Sequence, residues 1–266
     1  MAWTTDDDVV AFCRQTRPDL LVLSEVRAPD VDGHSLPRNL YLSNLHPLTL
    51  SYLRYVMKIP LVLLWYDTSG DDFPRLEARY PMVDLHVILD HGNVQPYTRQ
   101  PEKYCYLWTP QDTRIVRTLG EDRPIGVSFA GRLETERYVY RRQFVEQLAD
   151  RGVSVATRPP TADEVSHLPY ADYIALLQRA KITLNFSTHG QLKGRVFEAL
   201  HCGCLLLEPE GSRAARYVDP GVDYVEYTPD TLADRVLYYL EHDEERRAIA
   251  QHGHARAVHD YSPRAF

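Results

Sequence analysis

At 266 residues, 44% of them hydrophobic and 25% charged, the chain carries apolar material for two modest cores and has a globular make-up. Its formal net charge of −7 argues against general affinity for nucleic acid or acidic membranes, so an anionic ligand would need a local basic pocket. No apolar run approaches the ~18 residues of a membrane span. Residues 1–8 show neither the basic start nor the apolar core of a secretory leader. Cys13, Cys105, Cys202 and Cys204 form no CxxC pair and no Cys/His metal spacing, which reads as reduced thiols in a cytoplasmic protein.

Thr5 followed by Asp6, Asp7 and Asp8 is a helix start, and Val9, Val10, Phe12 and Cys13 give its apolar face as far as Pro18. Residues 20–26 are a continuous apolar run, the pattern of a parallel strand covered on both faces. After a polar loop, a helix is expected from about 48 to 57. Residues 60–67, 84–90 and 103–108 read as three further strands. The alternation predicts an open parallel sheet, which binds ligands beyond the carboxyl ends of its strands. That rule singles out Asp67, Asp90, His91 and Gly92. The usual opening strand with its glycine-rich turn is missing, which leaves two readings open: a reduced domain, or a sequence that starts inside it. Asp30-Val31-Asp32 has the spacing of a metal–diphosphate pair, but it lies among Pro29, Gly33 and Pro37, where Asp serves as a turn residue. His34, His46 and His86 read as lone structural histidines.

Residues 109–123, with Pro110, Gly120 and clustered charge, read as the crossing between domains. A strand over 126–131 then ends in Gly131 and is followed by Arg132. A helix over about 135–150 stops at Gly152, and strands follow at 153–157 and 182–186 around a helix at 169–180. After the 187–190 loop comes the most informative stretch, residues 193–208. It reads as a helix opened by Gly194, stopped by Gly203 and followed by a buried strand. A short helix at 213–217, a strand at 223–227 and two C-terminal helices complete the chain, with Asp243 expected to cap the last. His252, His254 and His259 do not share a helical face at ligand spacing and read as a solvated surface.

Lys193 and Arg195 stand at the start of the helix, where free N–H groups and the macrodipole favour an anion. Glu198 lies one turn inside, placed to take the two hydroxyls of a ribose. An ordinary helix packing Phe197 and Leu200 on the sheet fits the same spacing equally well. In a parallel sheet, Gly131, Arg132 and Arg137, the 187–190 loop with His189 and Gly190, and Lys193-Gly194-Arg195 all fall on one edge. Their charges can therefore converge on a diphosphate.

The segment 194–203, followed by Leu205-Leu206-Leu207-Glu208 and Tyr224-Val225-Glu226-Tyr227, resembles the C-terminal domain of group-1 glycosyltransferases, closest to their CgeB-like branch. Phe129-Ala130-Gly131-Arg132-Leu133 and residues 238–250 are similar to the start and end of that domain. The resemblance implies the GT-B fold: two Rossmann-like parallel-sheet domains facing across a cleft, here 1–120 on the acceptor side and 121–266 on the donor side. It implies a nucleotide-sugar donor, an acceptor hydroxyl, no metal and no other cofactor. Gly131 and Arg132 match the family's diphosphate-binding glycine-arginine, and Arg137 stands where the family has a lysine. Of the family's two glutamates, the second falls on Glu198 and contacts the ribose. The first falls on Gly190 and is absent, which leaves the holding of the sugar and the stereochemistry open. His91 is the candidate for the family's histidine beside the donor sugar, and Asp67 is a second candidate base. An epimerase, a hydrolase or a non-catalytic nucleotide-sugar binder are the alternatives.

Overall fold

The computed structural model describes residues 6–24, 45–65, 78–89, 100–120, 122–131, 133, 139–157, 169–187 and 190–266. They fall into two compact units, Met1–Leu107 and Trp108–Phe266.

In the first unit, α1 (Asp6–Thr16) opens on three aspartates, which complement the helix dipole, and buries Val9 and Cys13. Strands β1 (Leu21–Ser24), β2 (Leu61–Trp65), β3 (Leu85–Ile88) and β4 (Tyr104–Tyr106) form one parallel sheet in the order β1-β2-β3-β4. The helix expected near 48–57 is α2 (Pro47–Ser51) running into a π-helical turn, Tyr52–Val56. His46 caps α2, its Nδ1 accepting from Leu48 N at 3.2 Å. The core gathers Leu50, Leu53, Leu61, Leu63 and Trp65. One expectation needs correcting: among the described residues β1 is an edge strand with its Leu21 and Leu23 face covered, while Val22 is 50% exposed. His86 is structural, as expected. Trp65 Nε1 donates to its Nδ1 at 2.9 Å and Tyr104 stacks on its ring, while burial and Lys103 push its pKa down to about 4.

The second unit is a parallel sheet in the order β6-β5-β7-β8-β9. Its elements are β5 (Ile125–Phe129), α3 (Val139–Asp150), β6 (Val155–Thr157), α4 (Tyr170–Arg179) and β7 (Ala180–Leu184). They are followed by α5 (Gly194–Cys202), β8 (Leu205–Pro209), β9 (Val225–Tyr227), α6 (Leu232–Glu241) and α7 (Asp243–Asp260). Alternate side chains of β8 and the residue before it feed two cores. Leu205 and Leu207 pack with Phe129, Leu148 and Val236, whereas Cys204 and Leu206 pack with Val196, Phe197 and Leu200. Both faces are therefore covered, and the strand can be apolar throughout. Gly152 and Gly203 stop α3 and α5 in the left-handed region, at φ +79° and +70°.

The division between units falls after Leu107, earlier than the expected 120/121, because the 108–123 segment packs into the second unit. Val116 belongs to its core, and Gln178 Nε2 donates to the carbonyls of Ile115 and Arg117 at 3.0 and 2.8 Å. Arg123, read as part of a linker, joins two helix ends. Its guanidinium donates to Gln178 O in the last turn of α4, to Ala180 O just beyond it and to Cys202 O at the end of α5, at 3.1, 2.9 and 2.7 Å. Asp243 is the first residue of α7 rather than its cap, and it pairs with Arg246, Arg247 and Lys181. Of the α7 histidines, His252 and His259 are exposed as expected, and only His254 is partly buried. His254 Nδ1 lies 3.1 Å from Leu200 O, His252 meets Asp223, and His259 meets Asp260. All four cysteines are free thiols.

Candidate functional site

From β5 the chain of the second sheet moves out to β6 and then returns to the other side of β5 as β7. The carboxyl ends of β5 and β7 thus flank a topological switch point, the place where open parallel sheets form their ligand crevice. Gly131 follows β5 there. A Cβ at this position would stand 2.5 Å from Cζ of Phe129, so the aromatic ring folded beneath it requires glycine.

Above this edge sits the start of α5. Lys193 is its N-cap residue and supplies no side-chain acceptor to the first turn. Arg195, half-buried, reaches back across the switch point. Its guanidinium donates to Ala130 O after β5, lies 3.5 Å from Asn185 Oδ1 after β7, and donates through Nε to the Tyr173 hydroxyl at 3.3 Å. Its Cζ stands 5.5 and 5.7 Å from the ring centroids of Phe129 and Tyr173, within cation–π range. Arg195 is therefore a tie between strand ends as well as a source of positive field.

Glu198 lies one turn further along. Tyr173 donates to its Oε2 at 2.6 Å and Tyr170 to its Oε1 at 3.2 Å. Burial and the adjacent carboxylate raise both phenol pKa values, so both hydroxyls stay protonated as donors. A carboxylate has about four acceptor directions, and these bonds use two. The half-buried Glu198 keeps acceptor capacity for further hydroxyls.

A second carboxylate, Glu208, lies at the end of β8 and is 0% exposed. It accepts from Asn185 Nδ2 at 2.6 Å, from the Ser187 hydroxyl at 2.5 Å, and from Ser212. Burial nevertheless raises its pKa to about 7, because desolvation outweighs these donors and Arg195 together.

Of the residues expected at the site, the fold brings Gly131, Lys193, Gly194, Arg195 and Glu198 to one edge, with Gly190 on the loop leading to α5. Gly194 needs no special backbone; a Cβ there would make ordinary contact with Thr109 at 3.6 Å. Gly190 has φ +64°, a conformation that resists any L side chain, so a glutamate would be strained at this position. Asp67, His91, Arg132, Arg137 and His189, with Asp30 and Asp32, lie outside the described residues. Among the described residues no three His, Cys, Asp or Glu side chains form a metal-binding group.

Residues 135–265 match a family model described as glycosyl transferase-like. No curated protein matches the chain in sequence. Solved structures share its fold. The Anabaena protein HepE, crystallised with UDP, has a TM-score of 0.62 at 14% identity, over 97% of this chain and 78% of that one. A Rickettsia africae glycosyltransferase gives 0.62 at 10%, over 98% and 77%. The Thermosynechococcus elongatus sucrose-phosphate synthase gives 0.58 at 10%, over 98% and 74%. The fold is that of the GT-B glycosyltransferases, with two Rossmann-like parallel-sheet domains.

Residues 135–265 also hold five side chains that were not expected to act at the site: Tyr170, Tyr173, Asn185, Ser187 and Glu208. One signal was available. A glutamate closing an otherwise leucine-only buried strand is an ionisable group where burial is expected, and such groups gather at functional sites. The tyrosines gave none, since aromatic residues at helical spacing read equally as core.

Proposed function

We propose that the protein transfers a sugar from a nucleoside-diphosphate-sugar to an acceptor hydroxyl, without a metal. The observation that carries this reading is Glu198. It is held by two tyrosine hydroxyls with acceptor directions to spare, one turn inside a helix whose start, with Lys193 and Arg195, stands over the switch point. A diphosphate at the helix start and a ribose on Glu198 suit that arrangement. The matching family model and the UDP and UDP-glucose complexes of HepE support the same ligand class.

As the glycosidic bond breaks, negative charge grows on the leaving diphosphate. Lys193, the α5 amides and the field of Arg195 would stabilise it by preorganised electrostatics, joined by Arg132 and Arg137 if these point to the same edge. Arg195, already bound to Ala130, Asn185 and Tyr173, contributes field and placement more than direct contact. Asp67 and His91 are the proposed acceptor-side base and sugar-side histidine. We assign a hexosyl donor, a CgeB-like relationship and a cytoplasmic location on the same basis; the four free thiols support the location. Among the described residues, no helix is long and apolar enough to cross a membrane.

The left-handed Gly190, where the resembling family has a glutamate, favours a second reading: a nucleotide-sugar binder without transfer, or an epimerase or hydrolase. Calorimetry with UDP, GDP, ADP and TDP and their glucose conjugates tests the shared first step, and product analysis with and without acceptor alcohols separates the readings. One preferred nucleotide is expected. Binding of none overturns the proposal. Glu198→Ala should weaken nucleotide affinity about tenfold while the protein stays folded.

A further inference from the structure

The buried carboxylate of Glu208 has no part in the reading above, and burying a charge without purpose is costly. Its partners explain where it acts. Asn185 and Ser187 belong to the segment after β7, and Ser212 to the turn after β8. Those two segments touch a second time: a Cβ on Gly190 would lie 3.4 Å from Gly211 O. Asn185 is also gripped from the far side, its carbonyl accepting from Tyr227 of β9 at 2.6 Å. Its Oδ1 faces Arg195 of α5. Among the described residues, Glu208 is therefore an anion to which the strand-end segments on both sides of α5 are tied.

We propose that Glu208, as its carboxylate, is a positioning residue for donor binding, holding the segments after β7 and β8 in the relative placement that seats the diphosphate-sugar. The proposal rests on the nucleotide-sugar reading and adds to it a residue that touches no substrate.

The chemistry follows from donor count. The carboxylate only accepts, and Asn185 Nδ2 and the Ser187 and Ser212 hydroxyls all donate to it. A proton on Glu208 would add an O–H that must itself donate. Ser187 Oγ already accepts from Asn185 Nδ2 and Ser212 Oγ from Ala214 N, each at 3.1 Å, and Asn185 Oδ1 faces Arg195. The new O–H must displace the donation of one of these two hydroxyls; Ser187 stands in the segment leading to α5 and Ser212 in the turn after β8, so turning either loosens the tie between the two segments. Among the described residues, the other ionisable groups around Glu208 are Arg195 from α5, Tyr224 beside β9 and Tyr227 within it, while Arg141 of α3 donates to Phe186 O at 3.3 Å. Both phenols are held protonated by burial, so neither changes charge near neutrality. Glu208 is the member of this group that does.

The test is calorimetric affinity for UDP-, GDP-, ADP- and TDP-glucose between about pH 5 and pH 9, in wild type and Glu208→Gln, which fixes the uncharged form. Sugar nucleotides are used because their esterified diphosphate does not titrate in this window. Wild-type affinity for the preferred donor should rise about tenfold as pH increases through about 7, the value to which burial raises this carboxyl. Glu208→Gln should stay at the weaker value throughout. A variant that follows the wild-type curve, or binds as tightly at alkaline pH, overturns the role of Glu208 and leaves the nucleotide reading standing. If wild type binds none of the four, the nucleotide reading falls and takes this one with it. Should Glu208→Gln not fold, Ser187→Ala decides: loss of one donor raises the carboxyl pKa further, so the rise in affinity moves to higher pH. An unmoved midpoint overturns the proposal.

Discussion

The hydroxyl of Tyr173 donates to Glu198 at 2.6 Å while itself accepting from Arg195 Nε at 3.3 Å. One phenol thus couples the cation over the switch point to the carboxylate one turn along α5. Tyr173→Phe removes this link and leaves the packing unchanged. Nucleotide affinity is expected to fall about tenfold and stability by about 1–2 kcal/mol. Calorimetry and urea unfolding read the two effects separately; unchanged affinity would show that Glu198 needs no such support.

Glu208 makes a stability prediction independent of any ligand. Its folded pKa of about 7 lies above its ordinary value of 4.5, so between these values the folded state binds the proton more tightly than the unfolded chain does. Its contribution to stability is full below about pH 4.5 and is lost as pH rises through about 7. Relative to Glu208→Gln, wild type should lose on the order of 3 kcal/mol across that interval. Parallel denaturation curves for the two proteins from about pH 4.5 to 8 would contradict it.

Arg123 is predicted to be a stability residue. Arg123→Met keeps most of the apolar stem but leaves the carbonyls of Gln178, Ala180 and Cys202 without their shared donor. A loss of about 3 kcal/mol or more is expected, seen as a lower urea midpoint. Arg123→Lys should recover only part, because a single ammonium cannot span both helix ends.

Gly253 sets two rules against each other. Helix propensity says that alanine in the middle of α7 stabilises by roughly 1 kcal/mol. The fold says the reverse, since a Cβ there would run into Asp223 O and stand 2.7 Å from Leu200 Cδ2. Packing should win, with Gly253→Ala destabilising by about 1–3 kcal/mol in thermal unfolding. A stabilised variant would mean that α7 can move off α5.

Much of this architecture was legible because it is local. The apolar runs around β2, β3, β7 and β8, the glycine stops at Gly152 and Gly203, and the helix start at Lys193-Gly194 all follow from periodicity and backbone preference. What sequence could not supply was side-chain partnership between distant segments. Arg195 read as a free cation and proved to be tied to Ala130, Asn185 and Tyr173, and Arg123 read as linker charge and proved to join two helix ends. Glu208 looked like the last letter of a strand. Whether a carboxylate meets water or three buried donors depends on which strand ends the sheet order brings together, and that order is fixed by global packing. The sequence by itself determined which residues open α5 and close β8; only the tertiary structure decided which groups their charges meet, because those partners come from segments distant along the chain.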